Sequence, residues 1–441
     1  MFEYGDTLLE DFDLSGYDTT EYKPYLHYFE ANSEFEEEYF GDEYYEPWVS
    51  FTSGDSLVHY NKKGPNAPLT FNILSSGTIY WKNSGGTAKA IQYSKDKGQT
   101  WTTITSSSEG VGISVSAGDV LWFKGDNAEY QNNTFSGSTA WFTLEGNAMS
   151  LFDSTDYKTL LDFSSGHALD WVFRYCTGLT DASDLVLPAT GITEYCYSGL
   201  FNMCTNLTYG PKLPATVLAY HCYNSMFEGC SSLIATPNLP ATTLAAGCYR
   251  YMFKDCTSLV RVSDLRASVA PDSAYVRMFS GCNNLVNPPR ILAMTMGSES
   301  CRLMFDACTS LVRAPELPAT TLGNGCYQQM FNNCAKLATA PRILPASTLT
   351  QYCYADMFNG CSSLVKAPEL PASTLVNWCY YEMFQYCSKL NYIKCLATGG
   401  FSSTNCKTSW TYDVSSSGTF VKDANTTWPS GIPNGWTIVN A

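Results

Sequence analysis

Eighteen cysteines are the residues of this chain best suited to chemistry, and all of them fall between Cys176 and Cys406. Regularly spaced cysteine can cross-link, hold a metal or act as a nucleophile. Cys196 and Cys204 stand eight residues apart, about 12 Å on a helix, against the roughly 4.4 to 6.8 Å a disulfide tolerates between Cα atoms. Equivalent cysteines in neighbouring copies of a stacked repeat would approach to ~4.8 Å, but their side chains would lie parallel, and a column of nine cannot pair off completely. Buried, reduced thiols serving as small apolar fillers are therefore expected. The four histidines, His27, His59, His167 and His221, lie in different contexts. No nucleophile with a local base, and no cluster with metal-ligand spacing, accompanies them. His221 and Cys222 are neighbours on what reads as a helix, where adjacent side chains diverge. No cofactor or metal is expected, and the chain does not read as an enzyme.

Two motifs invite a different conclusion. Ser94-Lys95-Asp96-Lys97-Gly98-Gln99-Thr100-Trp101 resembles an Asp-box, the hairpin motif of sialidases and other β-proteins. Its residues suit a turn: the aspartate satisfies backbone donors, glycine takes the unusual dihedral and tryptophan packs beneath. A propeller enzyme would need several copies and an arginine cluster. A single copy makes a glycan hydrolase the weakest alternative. Leu187-Pro188-Ala189-Thr190-Gly191 matches a sortase signal, but it sits inside a repeat with no hydrophobic stretch and basic end after it.

The elements that position these residues are copies of one unit. Its plainest form reads Thr-Leu-x-x-x-Cys-Tyr-x-x-Met-Phe-x-x-Cys-x-x-Leu-x-x-Ala-Pro-x-Leu-Pro-Ala. Phe173, Phe201, Phe227, Phe253, Phe279, Phe305, Phe331, Phe358 and Phe384 mark nine copies, 26 to 28 residues apart. So strict a period means a solenoid. Leu375, Cys379, Met383 and Cys387 recur every four residues, which places them on one face of a short helix, with Gly229, Gly281 and Gly360 suiting the helix ends. The Leu-x-x-Ala-Pro stretch reads as a short parallel strand that proline curtails. Ala274 and Ser300 replace the first cysteine in two middle copies, and Cys301 takes a tyrosine position.

Charge divides the chain. Residues 1–50 hold fifteen Asp or Glu and one Lys, a net of −14 out of −15 for the whole. Acids there interleave with Phe2, Tyr4, Phe12, Tyr28, Phe29, Phe35, Tyr39, Phe40, Tyr44, Tyr45 and Trp48. Disordered tails are poor in aromatics, whereas segments that fold onto a partner use them as anchors. A docking arm for a larger assembly is expected. Residues 51–150 carry short alternating runs, Leu69 to Leu74, Thr78 to Trp81, Ala88 to Tyr93, Trp101 to Thr105, Ile113 to Val115, Val120 to Lys124 and Ala140 to Leu144, the pattern of an antiparallel β-sandwich. Residues 151–390 form the solenoid, with 151–171 covering its first coil. Residues 391–441 close it, with strands at Gly418 to Val421 and Gly435 to Val439 under Trp410, Trp428 and Trp436. Lys and Arg form no cluster in sequence, which argues against nucleic acid. No secretory signal is visible, and no apolar run is long enough for membrane insertion.

The Phe-x-x-Cys-x-x-Leu core with its following Leu-Pro resembles the BspA-like, or Treponema-type, leucine-rich repeats of gut Bacteroidetes and their bacteriophages. The resemblance covers about half of the chain and implies an α/β leucine-rich-repeat solenoid of about nine coils, here preceded by a small β-sandwich and an extended acidic arm. It also implies an adhesion or recognition role without catalytic residues, although the added Pro-Ala-Thr-Thr-Leu departs from the family's shorter spacing. The constant column Tyr197, Tyr223, Tyr249, Tyr275, Tyr327, Tyr354 and Tyr380 reads as packing. Variable columns carry the candidate binding residues Tyr209, Arg261, Arg290, Arg313, Arg342, Lys366 and Tyr392. The function expected is a virion component, a tail or capsid fibre or decoration, docked through residues 1–50 and presenting the solenoid to a host surface protein or glycan. A bacterial cell-surface adhesin is the alternative.

Overall fold

The computed structural model describes residues 66–441; the expected docking arm, with its anchors from Phe2 to Trp48, lies outside the described residues. The fold is β-rich with almost no helix. Its strands are β1 (Leu69–Ile73), β2 (Gly77–Asn83), β3 (Ala90–Ser94), β4 (Thr102–Thr105), β5 (Val111–Val115), β6 (Val120–Lys124), β7 (Asn133–Thr134), β8 (Phe142–Asn147), β9 (Leu179–Val186), β10 (Val269–Ala270), β11 (Thr295–Met296), β12 (Lys366–Leu370), β13 (Tyr392–Cys395), β14 (Gly418–Lys422) and β15 (Trp436–Asn440).

Alternation of apolar residues fixes the first sheets, as expected from the sequence. One has the order β4-β3-β6-β1-β8-β9 and the other β5-β2-β7. They pack through aromatic rings: Phe135 lies 4.8 Å from Trp81 of β2 and 4.9 Å from Phe71 of β1. The first sheet does not stop where the repeats begin. β8 pairs in parallel with β9, part of the first repeat, and Phe135 stacks on Phe173 at 5.8 Å. Residues 167–175 already hydrogen-bond to the coil that follows, through Leu169 N–H to the Cys196 carbonyl and Trp171 N–H to that of Ser198. The first coil is thus covered by β8 and Phe135, rather than by 151–171 alone.

The expected repeat helices are absent. The segment from Cys196 to Cys204 is instead a run of four-residue turns. Cys196, Ser198, Leu200, Asn202 and Cys204 donate their amide protons three residues back, while Tyr197, Gly199, Phe201 and Met203 donate to Cys222, Asn224, Met226 and Glu228 of the next coil. Every fourth residue takes a left-handed backbone, with φ of 54° at Tyr195, 56° at Gly199 and 60° at Met203. A four-residue spacing on an α-helix drifts by about 40° per step, so a column of strict period four would spiral off the core. In the turn stack it stays inside, and two adjacent residues per turn, Cys–Tyr and then Met–Phe, are buried. Gly229, Gly281 and Gly360 have φ near 75° because they occupy turn corners, not helix ends.

Stacking then repeats the same contacts. The phenylalanine rings form a ladder from Phe173 to Phe384 at 5.4 to 5.7 Å between neighbours. All eighteen cysteines are free and buried. Eight of them, from Cys204 to Cys387, donate Sγ–H to the phenylalanine carbonyl of the preceding coil at 3.0 to 3.2 Å. The thiol is therefore a donor as well as a filler. Burial pushes the Cys256 thiol well above its ordinary range, which keeps that proton in place. Cys256→Ala is expected to cost about 1–2 kcal/mol in urea unfolding, since a donor and packing volume are lost together. Cys256→Ser, which keeps a donor, is expected to cost less.

Strand pairing between coils is brief, as expected. Pro237, Pro289, Pro315 and Pro341 lack the N–H a ladder needs, and coils meet there through single bridges such as Ala235 to Arg261 and Arg313 to Thr339. Only toward the end do β12, β13, β14 and β15 make a four-stranded parallel sheet. Trp410, Trp428 and Trp436 close the last coil: all are buried, and Trp410 stacks 6.1 Å from Tyr380 and 5.9 Å from Trp428.

Candidate recognition surface

The tyrosine column is interior. Tyr197, Tyr223, Tyr249, Tyr275, Tyr327, Tyr354 and Tyr380 are all at most 2% exposed, so they space the coils and reach no ligand. The Asp-box residues likewise form a turn. Asp96 accepts from the Thr100 amide (2.9 Å) and hydroxyl (2.6 Å), Ser94 Oγ accepts from the Gly98 amide (2.8 Å), and the Trp101 indole donates to the Gly98 carbonyl. The Thr100 and Ser94 hydrogen bonds hold Asp96 at a pKa of about 2, in the charged state such a turn requires. Cys222 is fully buried while His221 lies outside, stacked on Tyr195 at 5.2 Å. His167 Nδ1 is 2.9 Å from Asp170 Oδ2, and its ring also stacks on Tyr195. These histidines join coils. Among the described residues no group of His, Cys, Asp and Glu could hold a metal ion.

The candidate binding residues fall into two columns. Parallel bridges link Asp181 to Tyr209, Ala235 to Arg261, Arg313 to Thr339, and Thr339 to Lys366, and β12 pairs Lys366 with Tyr392. Tyr209, Arg261, Arg313 and Lys366 are exposed and Tyr392 is half-buried. Lys366 Nζ lies 4.8 Å from the Tyr392 ring centre. Beside this column runs a stripe of exposed valines, Val260, Val286, Val312 and Val365. The face therefore offers cations next to an apolar strip.

Arg290 and Arg342 stand in the other column, three residues further along each coil, and there the charge alternates. Asp264, Arg290, Glu316, Arg342, Glu369 and Lys394 follow one another. The Asp264 carboxylate accepts from the Arg290 amide (3.0 Å), Glu316 from the Arg342 amide (3.3 Å) and Glu369 from Lys394 Nζ (3.3 Å). Each cation has acids on neighbouring coils, so this column offers a polyanion little net attraction. Arg261, Arg313 and Lys366 keep the stronger claim.

No family model matches the chain. No curated protein matches it either. A further surface lies outside the strand columns expected from the sequence. The turn corners carry outward columns of their own. His167, Tyr195 and His221 stack in register at 4.7 and 5.2 Å, and Tyr352 stacks on Trp378 at 5.3 Å further along the same column. These are equivalent positions of successive repeats, and the inter-coil hydrogen bonds of the turns hold them in line.

One buried carboxyl on the turns sets a pH dependence. Burial, and the neighbouring Glu382, raise Asp356 to about 6, against a hydrogen bond from Asn359 that lowers it. The unfolded chain titrates this group near ~3.9, so the folded state holds the proton more tightly. Stability present below pH ~4 is lost as the pH rises toward about 6. Asp356→Asn is expected to flatten that loss, on the order of 2 kcal/mol, in urea titrations run near pH 4 and pH 7.

Proposed function

We propose that residues 151–390 are a leucine-rich-repeat solenoid of the BspA-like type, and that the chain is a non-enzymatic recognition and structural protein of a bacteriophage virion. In this reading the arm 1–50 docks into the virion, as part of a tail or capsid fibre or a decoration. The column of Arg261, Arg313 and Lys366, with its valine strip, meets a host surface protein or glycan. Neither nucleic acid nor membrane insertion is involved.

One observation carries the reading. Over a single continuous stack the inward columns keep Phe, Leu and the second Cys in every coil and the first Cys and Tyr in most, while the outward columns change chemistry from coil to coil. Fixed spacing with variable outward residues is how a rigid lattice offers many small contacts to one large partner.

The test has two arms. Arg313→Glu combined with Lys366→Glu is expected to weaken attachment to host cells about tenfold, the effect of roughly 1.4 kcal/mol of lost complementarity. The chain is also expected by mass spectrometry in purified virions. Normal attachment by the folded variant would sink the strand-face assignment, and recovery only in a bacterial envelope fraction would move the protein to the cell-surface adhesins.

A further inference from the structure

Three arginines converge on the turn face, away from the strand columns. Arg250, Arg277 and Arg302 lie on three successive coils and line an open cleft of about 230 Å³ with Tyr251, Ser273 and Glu299. Inter-coil hydrogen bonds hold them in register: Tyr251 N–H donates to the Val276 carbonyl (2.9 Å) and Arg277 N–H to that of Arg302 (3.0 Å). Neighbouring coils in such a stack are ~4.8 Å apart, so all three long side chains reach one space.

Their charges are poorly balanced. Glu299 is the one acid lining the cleft, and its Oε2 lies 3.3 Å from Arg302 Nη1. Arg250 rests on the Tyr251 ring, 4.8 Å from its centre, and donates Nη2–H to the Tyr251 hydroxyl at 3.1 Å. It is thus oriented without being neutralised. Arg277 makes no ion pair with any described residue. A cation nearby on the same coils shows the contrast: Lys254 sits between Glu228 (3.0 Å) and Asp255 (2.8 Å). Asp272 lies beside the cleft, where its carboxylate accepts from the Ser298 amide at 2.7 Å.

The cleft also coincides with the lapse in the interior code. Ala274, Ser300 and Cys301, which break the cysteine and tyrosine columns, belong to the two coils whose turns supply Ser273, Arg277, Glu299 and Arg302. The tyrosine stack is interrupted at Cys301, between Tyr275 and Tyr327.

We propose that this cleft binds an oxyanionic group, a sulfate, phosphate or carboxylate carried on a larger ligand. Guanidinium groups pair bidentately with all three and are less heavily hydrated than ammonium. The volume equals that of about eight waters at ~30 Å³ each, room for the anion and the start of its carrier. The site stands apart from the strand columns, and holds whether or not those bind a host.

Equilibrium dialysis of the full chain against labelled inorganic sulfate, inorganic phosphate and acetate, at constant ionic strength, tests it. At least one of them is expected to saturate at one anion per chain, with a dissociation constant on the order of 1 mM, and the tightest identifies the class. Arg277→Gln is expected to weaken binding about tenfold, as loss of one charge-assisted contact does. Glu299→Gln, which frees Arg302, is expected to tighten it severalfold, a gain that a merely structural role would not produce. Arg313→Gln, on the strand face, is expected to leave it unchanged. Melting curves establish that each variant is folded. Absence of saturable binding for all three anions, or affinities indifferent to both Arg277→Gln and Glu299→Gln in folded protein, would overturn the proposal.

Discussion

Phe305→Ala is expected to destabilise the protein by about 3–5 kcal/mol and to lower the cooperativity of unfolding as well. Phe305 is fully buried. Its ring stacks 5.6 Å from Phe279 and 5.6 Å from Phe331, and its carbonyl accepts both the Cys308 amide and the Cys334 thiol. Truncation opens a void that rigid coils cannot collapse into, and weakens two coil interfaces together. In a stack where each coil touches only its neighbours, stability is close to a sum of coil and interface terms. A weak interface in the middle lets the two halves melt separately, and this should appear as a shallower urea transition. A loss under about 1 kcal/mol, or an unchanged slope, would mean that the ladder is spacing rather than cohesion.

Gly178→Ala is expected to open the seam between the first sheet and the repeats. A Cβ at Gly178 would lie 2.1 Å from the Ala140 carbonyl oxygen, a backbone atom that cannot swing away. The Gly178 carbonyl itself accepts the Phe142 amide at 2.9 Å, so one displacement disturbs both the approach and the first bond of the β8–β9 pairing. The expected cost is about 2–3 kcal/mol, at the upper end for overpacking. Its signature is a melting curve resolved into two steps, with new proteolytic cleavage between residues 148 and 178. Gly399→Ala, where a Cβ meets nothing within 4 Å, is the control and is expected to be neutral. A single unshifted transition for Gly178→Ala would show that sheet and repeats do not depend on this junction.

Much of this architecture can be read from residues alone. Alternating runs such as Leu69, Phe71 and Ile73 locate the strands of the first sheets, because one buried face imposes a period of two. β7, two residues long and flanked by polar turns, escapes, and so does the joining of β9 from the first repeat to this sheet. The phenylalanine spacing matches the ladder of rings from Phe173 to Phe384, and the closing tryptophans lie where expected. The repeat interior is the failure. Four-residue recurrence of Leu375, Cys379, Met383 and Cys387 fits a helix almost as well as a turn stack, and the corners that would distinguish them are occupied by Tyr195, His221, Ser273 and Trp378 as well as by glycine. A left-handed corner filled by tyrosine leaves no mark in sequence. The candidate site suffered in proportion. The strand columns, defined by counting from cysteine, include Arg313 and Lys366 correctly in one line, whereas the arginine cleft depends on corners that the helical assignment misplaced.

The left-handed corners carry a consequence for how such a protein can diversify. The same corner is filled in successive coils by His167, Tyr195, His221, Gly247, Ser273, Glu299, Gly325, Tyr352, Trp378 and Asn405, all at φ from 50° to 63°. Whatever strain the conformation imposes is shared by nearly every side chain except glycine, so exchanging one for another leaves the backbone cost almost unchanged. The inward neighbours and the inter-coil amide bonds take no part in the exchange. Selection can therefore rewrite the outer face one residue at a time, as type is reset in a fixed frame, without passing through sequences that fail to fold.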